Sequence, residues 1–480
     1  MGSSDPFQRF SFETAAHILS YLDAPSIIRC EGVSRGWKYF IQAWIANFGF
    51  ATNFLGQVKQ YKADHRDEIL RRFKELAAIE ANLVSGKPTS VRKIEADHRF
   101  IVTGDFAAWR ISDDIHWQRL NFRADGSVFK ARRLNCEPRV QWCDKLMLNA
   151  NGYLLVSRMC TRIRSQVKRV DVYCLEEQRK LYTMQGSQLE QDVTSTPVTI
   201  SATQIYFASR FSLRVHDLLS GDLLHTVPLK DDPGLVTTPM TPTPHPRRSF
   251  ALLQDDQREL IIILHNSRLV SVIQILDGGA GSVIQEFQVK TRRSPRVVVA
   301  PNQRDFAVVS ENVAPTLELS VEKFSLGPDG LFHSSATEAI VSDFRNTGSY
   351  LFALDPFRSL VATPESRCIP AIRGLVDSTP RHSAEENSSS LAHCPPSDPR
   401  TASWRLLRPG PEREITLPPK YAHHKSRRPY VPDSNYSPKG VCFVDGDRLL
   451  LRTMSHTLGP AVYYLFDFGL RVRSGRKGGT

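Results

Sequence analysis

Along the first 50 residues, apolar positions recur at steps of three and four, the spacing that lines one side of a helix. Phe12, Ala15, Ala16, Leu19 and Leu22 form such a stripe, widened by Ile18. Ser11 stands before it as a predicted N-cap, where its hydroxyl can accept from a free first-turn amide, and Glu13 suits the positive end of the helix. Asp23 is the predicted cap of a second, short helix, with Pro25 in its first turn and Ile27 and Ile28 facing inward. A third helix is predicted from Ser34. Its stripe holds Trp37, Phe40, Ile41, Trp44, Ile45 and Phe48, and Gly49 can end it in the left-handed conformation. Three short helices of about 40 residues in all are near the limit of independent stability, so they call for a partner surface or for the domain that follows.

A fourth helix is predicted from Asp64, its cap, to about Leu83. Ile69, Leu70, Phe73, Leu76, Ala77 and Leu83 lie along its inner side, with Glu68 and Arg72 as an i,i+4 pair on the wet side. Near residue 85 the pattern changes. Short β-branched and aromatic runs now alternate with turn residues, which marks a domain boundary and the start of a mainly-β region. The clearest unit spans Thr203–Leu229: Ile205–Ala208, then Leu213–Leu218 with Asp217, then Gly221-Asp222, then Leu223–Leu229. Weaker echoes occur at Phe100–Phe122, Tyr153–Met184, Leu260–Val289, Phe306–Leu326, Leu351–Leu417 and Val441–Phe468.

Strand, strand with aspartate, glycine turn and strand resembles the later part of a WD-type propeller blade. Spacings of about 40 to 60 residues are in or just above the propeller range. Seven units are expected, and hence a seven-bladed β-propeller, with an irregular β-sandwich or two smaller β domains as the alternative. Radial repetition also leaves few exposed strand edges. The last unit lacks a clear closing strand, and Ser90–Ile94, ahead of the first unit, could supply it. Two stretches poor in apolar residues, near 378–400 and 418–438, read as disordered surface insertions.

Composition narrows the classes without choosing among them. With 41% hydrophobic and 23% charged residues, the 480-residue chain falls in the ordinary globular range. The net charge of +12 is spread over short runs such as Lys420–Arg428 and Arg471–Lys477, which suit an acidic partner, a phosphorylated protein included. No zinc-finger, basic-zipper or RNP pattern accompanies them, so nucleic acid is not an expected partner. Eight scattered cysteines without a C-x-x-C pair point to reduced thiols rather than a disulfide framework or zinc site. The densest apolar run, Leu260–Leu264, is far short of the roughly 18 residues a membrane span needs. These features, with no apolar leader in Met1–Pro6, predict a soluble protein of the cytoplasm or nucleus that binds no membrane.

Motifs for chemistry are missing from the sequence: H-E-x-x-H, G-x-S-x-G and G-x-x-x-x-G-K-[ST] do not occur. Asp113-Asp114 and Asp445-Gly446-Asp447 read as turns, and the paired His423-His424 as no metal site. The expectation is a non-enzyme with no catalytic residues, no metal and no cofactor.

The stretch Phe10–Cys30, followed by Val33-Ser34-Arg35-Gly36-Trp37-Lys38, resembles the F-box family. Members typically read Leu-Pro-x-Glu, then Ile-Leu-x-x-Leu, then two apolar residues, then Val-[Ser/Cys]-[Arg/Lys]-x-Trp. Glu13, Ile18, Leu19, Leu22, Ile27, Ile28, Val33, Ser34, Arg35 and Trp37 match, while Phe10 and Ser11 replace the usual Leu and Pro. The resemblance implies an F-box at 8–50, a helical linker at 51–86 and a partner-binding β domain at 87–470. It implies binding of a Skp-type adaptor, and through it a cullin scaffold, by Phe10, Ser11, Ile18, Leu19, Leu22, Ile27, Ile28, Val33 and Trp37, some of which should prove internal core. The expected function is substrate adaptor of an SCF-type ubiquitin ligase, whose protein substrate and substrate-binding residues the sequence does not name. The alternative is an F-box scaffold that directs no ubiquitination.

Overall fold

The computed structural model describes residues 10–50, 66–97, 99–121, 128–136, 143–162, 165–185, 196–209, 212–229, 248–255, 258–265, 270–291, 293–300, 304–313, 317–342, 353–364, 370–377, 403–409, 413–414, 436–445, 447–455 and 461–469. The predicted insertions near 378–400 and 418–438 and the cap at Asp64 lie outside these residues, except for the last three of the second insertion, which begin a strand.

Helices α1 (Phe12–Ser20), α2 (Ala24–Cys30) and α3 (Arg35–Trp44) start where the caps were predicted. Ser11 accepts from the Thr14 amide at 3.3 Å, Asp23 from Ser26 at 2.8 Å and Ser34 from Trp37 at 3.1 Å, so each helix begins with one orphan donor satisfied. The end of α3 departs from expectation. It runs into a π-helical turn, Ile45–Gly49, in which the Phe50 amide bonds to the Ile45 carbonyl five residues back. Gly49 therefore does not stop the helix in a left-handed conformation; the chain is still helical at Phe50. Its role is spatial, because a Cβ at Gly49 would overlap the Trp44 ring.

Helix α4 (Arg66–Val84) completes the helical core. Phe73 and Ala77 pack with Leu19, Ile27, Ile41, Trp44 and Ile45. Lys74 bonds to Glu31, at the end of α2, at 2.7 Å.

The rest of the described chain is β structure in six hydrogen-bonded sheets. Sheet I contains Phe100–Thr103, Phe106–Ile111, Asp114–Arg119 and Arg132–Leu134. Sheet II contains Cys143–Leu148, Tyr153–Arg162, Ser165–Cys174 and Arg179–Gln185. Sheet III contains Thr196–Ile200, Gln204–Ala208, Ser212–Asp217 and Leu223–Pro228. Sheet IV contains Arg248–Asp255, Arg258–His265, Val270–Asp277 and Val283–Lys290. In each, consecutive strands pair antiparallel as a meander.

The expected count of seven is corrected to six by sheet V. Its first four strands, Arg293–Val299 to Phe332–Ser342, meet a second group built on Ala353–Asp355, Leu360–Pro364, Pro370–Asp377 and Ser403–Pro409. Ser403–Leu407 pairs in parallel with Ala336–Ile340, which fuses the two groups into one nine-stranded sheet. Sheet VI closes the circle: Tyr436–Val444, Arg448–Ser455 and Ala461–Asp467 are joined by Ser90–Ala96, the first strand of the region. Ser90 lies opposite Asp467 and Ala96 opposite Ala461.

The apolar clusters confirm a ring. One joins sheets I and II through Phe106, Trp117, Leu154 and Tyr173, and another joins II and III through Leu155, Val172, Ile205 and Phe207. Tyr206, Val215, Ile261 and Ile263 join III and IV. At the seam, Ile94 and Tyr463 of sheet VI pack on Val102 and Trp109 of sheet I. The turns repeat as well. Asp217 accepts from the Leu219 and Ser220 amides, Asp277 from Gly279 and Ala280. Four residues on, Gly221 (φ +80°) and Gly281 (φ +68°) supply the left-handed step. Each also lies against a ring of the preceding sheet, Tyr182 and His225 respectively, where a side chain would collide.

Candidate functional site

Two places combine exposure with unusual side chains: the outer face of the helical module and the middle of the ring. On the helical module the structure divides the nine predicted adaptor-binding residues into three groups. Leu19 and Ile27 are fully buried in the module's own core. Leu22, Ile28 and Trp37 are half-buried and pack against that core. Phe10, Ser11, Ile18 and Val33 are exposed, Val33 by 62%. A direct contact with another protein is thus open to the third group, partly to the second and closed to the first while the module is folded.

The helical module also carries exposed rings that the pattern of stripes had assigned to the interior or passed over. Phe12 is 38% and Phe48 53% exposed, and Tyr21 and Tyr39 protrude further. Phe48 leaves the α3 stripe because the π turn inserts one residue into the helical repeat, so spacing by 3.6 no longer predicts its direction. Tyr21 and His17 sit edge to ring at 5.0 Å, the tyrosine hydroxyl 3.2 Å from His17 Nε2. Glu13 is held below the usual carboxylate range by its own backbone amide and the Ser11 hydroxyl.

Sequence comparison decides what this module is: its match to the F-box domain family covers residues 7–43. The chain carries an F-box domain. F-box domains typically bind Skp-type adaptors. The F-box occupies the small helical part, and the mainly-β propeller follows it. No curated protein matches the chain. Among solved structures, the chain is similar to hydrazine synthase from Kuenenia stuttgartiensis, with 13% identity over 58% of this chain and 77% of that one and a TM-score of 0.37. It is similar to the β-propeller domain of Cps50 (Swd1) from Myceliophteria thermophila, with 11% identity over 79% and 99% of the two chains and a TM-score of 0.40. It is also similar to Hsv2 from Kluyvelomyces marxianus, with 7% identity over 78% and 98% and a TM-score of 0.40.

The second place is a cavity of about 680 Å³ at the centre of the ring, to which every sheet contributes. Its wall includes Thr103, Asn149, Gln254, Arg296, Asp355 and Asp445, most of them at the turns between the first and second strands of each group. Asn149 is committed to the fold, donating to the Ser201 carbonyl and accepting from the amides of Asn151 and Tyr153. Asp355 accepts from the Phe357 and Arg358 amides and pairs with the Arg358 guanidinium at 3.0 Å. No group of side chains among the described residues is arranged to hold a metal ion. No helix among them is long and apolar enough to cross a membrane.

Helix α4 connects the two places. Its Phe73 and Ala77 belong to the F-box core, whereas Leu83 belongs to the cluster of Val91, Val441, Tyr464 and Phe466 in the ring. Asn82 donates to the Phe468 carbonyl. Burial raises the Glu80 carboxyl above its usual range, with Arg358 of the ring opposing the rise and Asp23 of the F-box and Asp355 of the ring adding to it. The helix thus meets the ring where the ring's last strand ends, at Asp467 and Phe468, and within the cluster of Val91, Val441 and Tyr464.

Proposed function

We propose that this chain is the substrate-recognition subunit of an SCF-type cullin ubiquitin ligase. The F-box binds a Skp-type adaptor, and the propeller captures the protein to be modified, with a preference for acidic or phosphorylated partners that suits the chain's net charge of +12. The chain supplies no catalytic group. It contributes effective concentration, holding a target lysine near a charged conjugating enzyme bound elsewhere in the assembly.

The observation that carries this reading is α4. One helix has side chains in both cores, so the F-box and the ring are held in a fixed relation, as a delivery device requires and a flexible tether does not provide. Capture belongs at the end of the ring facing away from the F-box, where a partner would not compete with the adaptor.

The test uses the full chain with Ile18→Asp and Val33→Asp, both at exposed positions, so the helical core stays intact. In cells under proteasome inhibition, the double variant should still co-purify the proteins bound by the wild type, and those proteins should lose their ubiquitin conjugates. Unchanged conjugation would remove the delivery role and leave the non-degradative scaffold.

A further inference from the structure

The π turn at the end of α3 gives the F-box a feature that its family pattern does not contain. Ile41, Trp44 and Ile45 are buried, and uninterrupted α-helical spacing would place Phe48 on the same side, seven, four and three residues later. Instead the turn widens, puts its smallest residue, Gly49, beneath the Trp44 ring, and directs Phe48 outward. There Phe48 meets Phe12, with ring centroids 6.1 Å apart, and Phe12 meets Phe40 at 5.1 Å, both tilted. These are ordinary separations for favourable ring pairs. Phe12 and Phe48 remain substantially exposed even within this cluster, and Phe10, two residues before Phe12, is 47% exposed.

We propose that Phe12, Phe40 and Phe48 form an aromatic ledge that extends the adaptor-binding surface beyond the residues of the family pattern and receives an apolar helix face of the Skp-type adaptor. This rests on the adaptor reading above. Two observations select that occupant. Phe12 and Phe40 lie within the stretch that matches the F-box family, whose members typically bind such adaptors, and Phe12 comes two residues after the exposed Phe10 that the family resemblance assigns to the adaptor surface. Phe40 packs on the F-box core, not on the ring. A cluster of large exposed rings also gives an interface the rigid, poorly hydrated centre on which binding energy concentrates. π-Turns recur at functional positions because they redirect one side chain while leaving the rest of the helix in place.

The experiment measures binding of the full-length chain to a purified Skp-type adaptor by titration calorimetry, with thermal unfolding as a check on folding. Phe48→Ala should weaken binding by about five- to tenfold, and Phe48→Leu should restore it to within about twofold, because the contact needs apolar bulk. Both should remain folded, with at most a small drop in the midpoint for Phe48→Ala from loss of the ring pair with Phe12. Ile18→Asp should abolish binding. If Phe48→Ala and Phe12→Ala both bind like the wild type while Ile18→Asp does not bind, the ledge is wrong and the adaptor reading stands. If the folded wild type does not bind at micromolar concentration, both are wrong.

Discussion

The F-box and the ring treat apolar surface in opposite ways. Seven of the fourteen large apolar residues that are exposed among the described residues lie between Phe10 and Phe48, in a small fraction of the chain. The ring covers its strand faces with the neighbouring sheets, one apolar cluster after another around the circle, and the nine-stranded sheet covers an outer edge as well. Each fully buried large apolar side chain is worth about 1.5–3 kcal/mol. The ring gains that stabilisation from itself, whereas three short helices cannot bury all their stripes and leave part for α4 and part for a partner. Exposed apolar side chains are thus part of the design of one region and scattered exceptions in the other.

Neighbouring positions in α1 offer the sharpest way to break this contrast. Leu19→Asp puts a charge in the F-box core and should cost about 3–5 kcal/mol, seen as loss of the module's helical signal and of its amide protection against hydrogen exchange. Ile18→Asp, one residue earlier and 41% exposed, should leave both unchanged. Adaptor binding should disappear in each case, through unfolding in the first and through the contact in the second. If Leu19→Asp leaves the helices protected, the division between core and contact residues is wrong.

Gly49→Ala should come next, destabilising the F-box by about 1–3 kcal/mol, since the added methyl must displace a buried tryptophan ring. Fluorescence of Trp44 during urea unfolding would report it, and the ring's own transition should not move. The matching change in the ring, Gly221→Ala, combines a left-handed backbone with the Tyr182 ring of the preceding sheet and should cost about 1–2 kcal/mol there. Exchange protection should fall in sheets II and III and stay constant in the F-box.

The smallest effect should appear at the seam. Burial raises the Asp447 carboxyl to about 6, with Arg448 opposing the rise and Asp467 and Asp445 adding to it. Because this folded-state value is above the ordinary aspartate value, the wild type is best placed below that ordinary value and loses stability as pH rises through 6. Asp447→Asn removes the dependence. Relative to the wild type it should gain on the order of 1 kcal/mol between pH 5 and pH 7.5, read from urea midpoints of the ring. Equal midpoint differences at the two pH values would show that Asp447 is not penalised when ionised.

Much of the F-box was legible because its signals are local. Ser11, Asp23 and Ser34 cap from positions next to the helices they start, and the cap chemistry depends on three or four residues. The aspartate and glycine of the Thr203–Leu229 unit were readable for the same reason, and Asp277 and Gly281 repeat them. What was hidden depends on partners distant in sequence or on a shift of register. Periodicity gave Leu19 and Ile18 the same stripe, yet packing against α4 buries one and leaves the other exposed. Phe48 was misplaced by a single extra residue in a turn. The count of sheets failed at a parallel pairing between Ala336–Ile340 and Ser403–Leu407, which neither segment announces on its own.

The closing of the ring by its first strand sets an order of events during synthesis. Every residue of the F-box core has been synthesised once Ala77 is added, but 378 residues separate Thr89 from its partner Asp467. At roughly 5–20 residues per second, that interval lasts roughly 20–75 seconds. Throughout it the F-box can fold, while the strand Ser90–Ala96 waits with an open edge and the ring is unfinished. On the proposed function, a newborn chain would meet its adaptor before its ring is able to recognise anything, and an adaptor bound early would cover the rings of the F-box in the period when the polypeptide is most prone to aggregate.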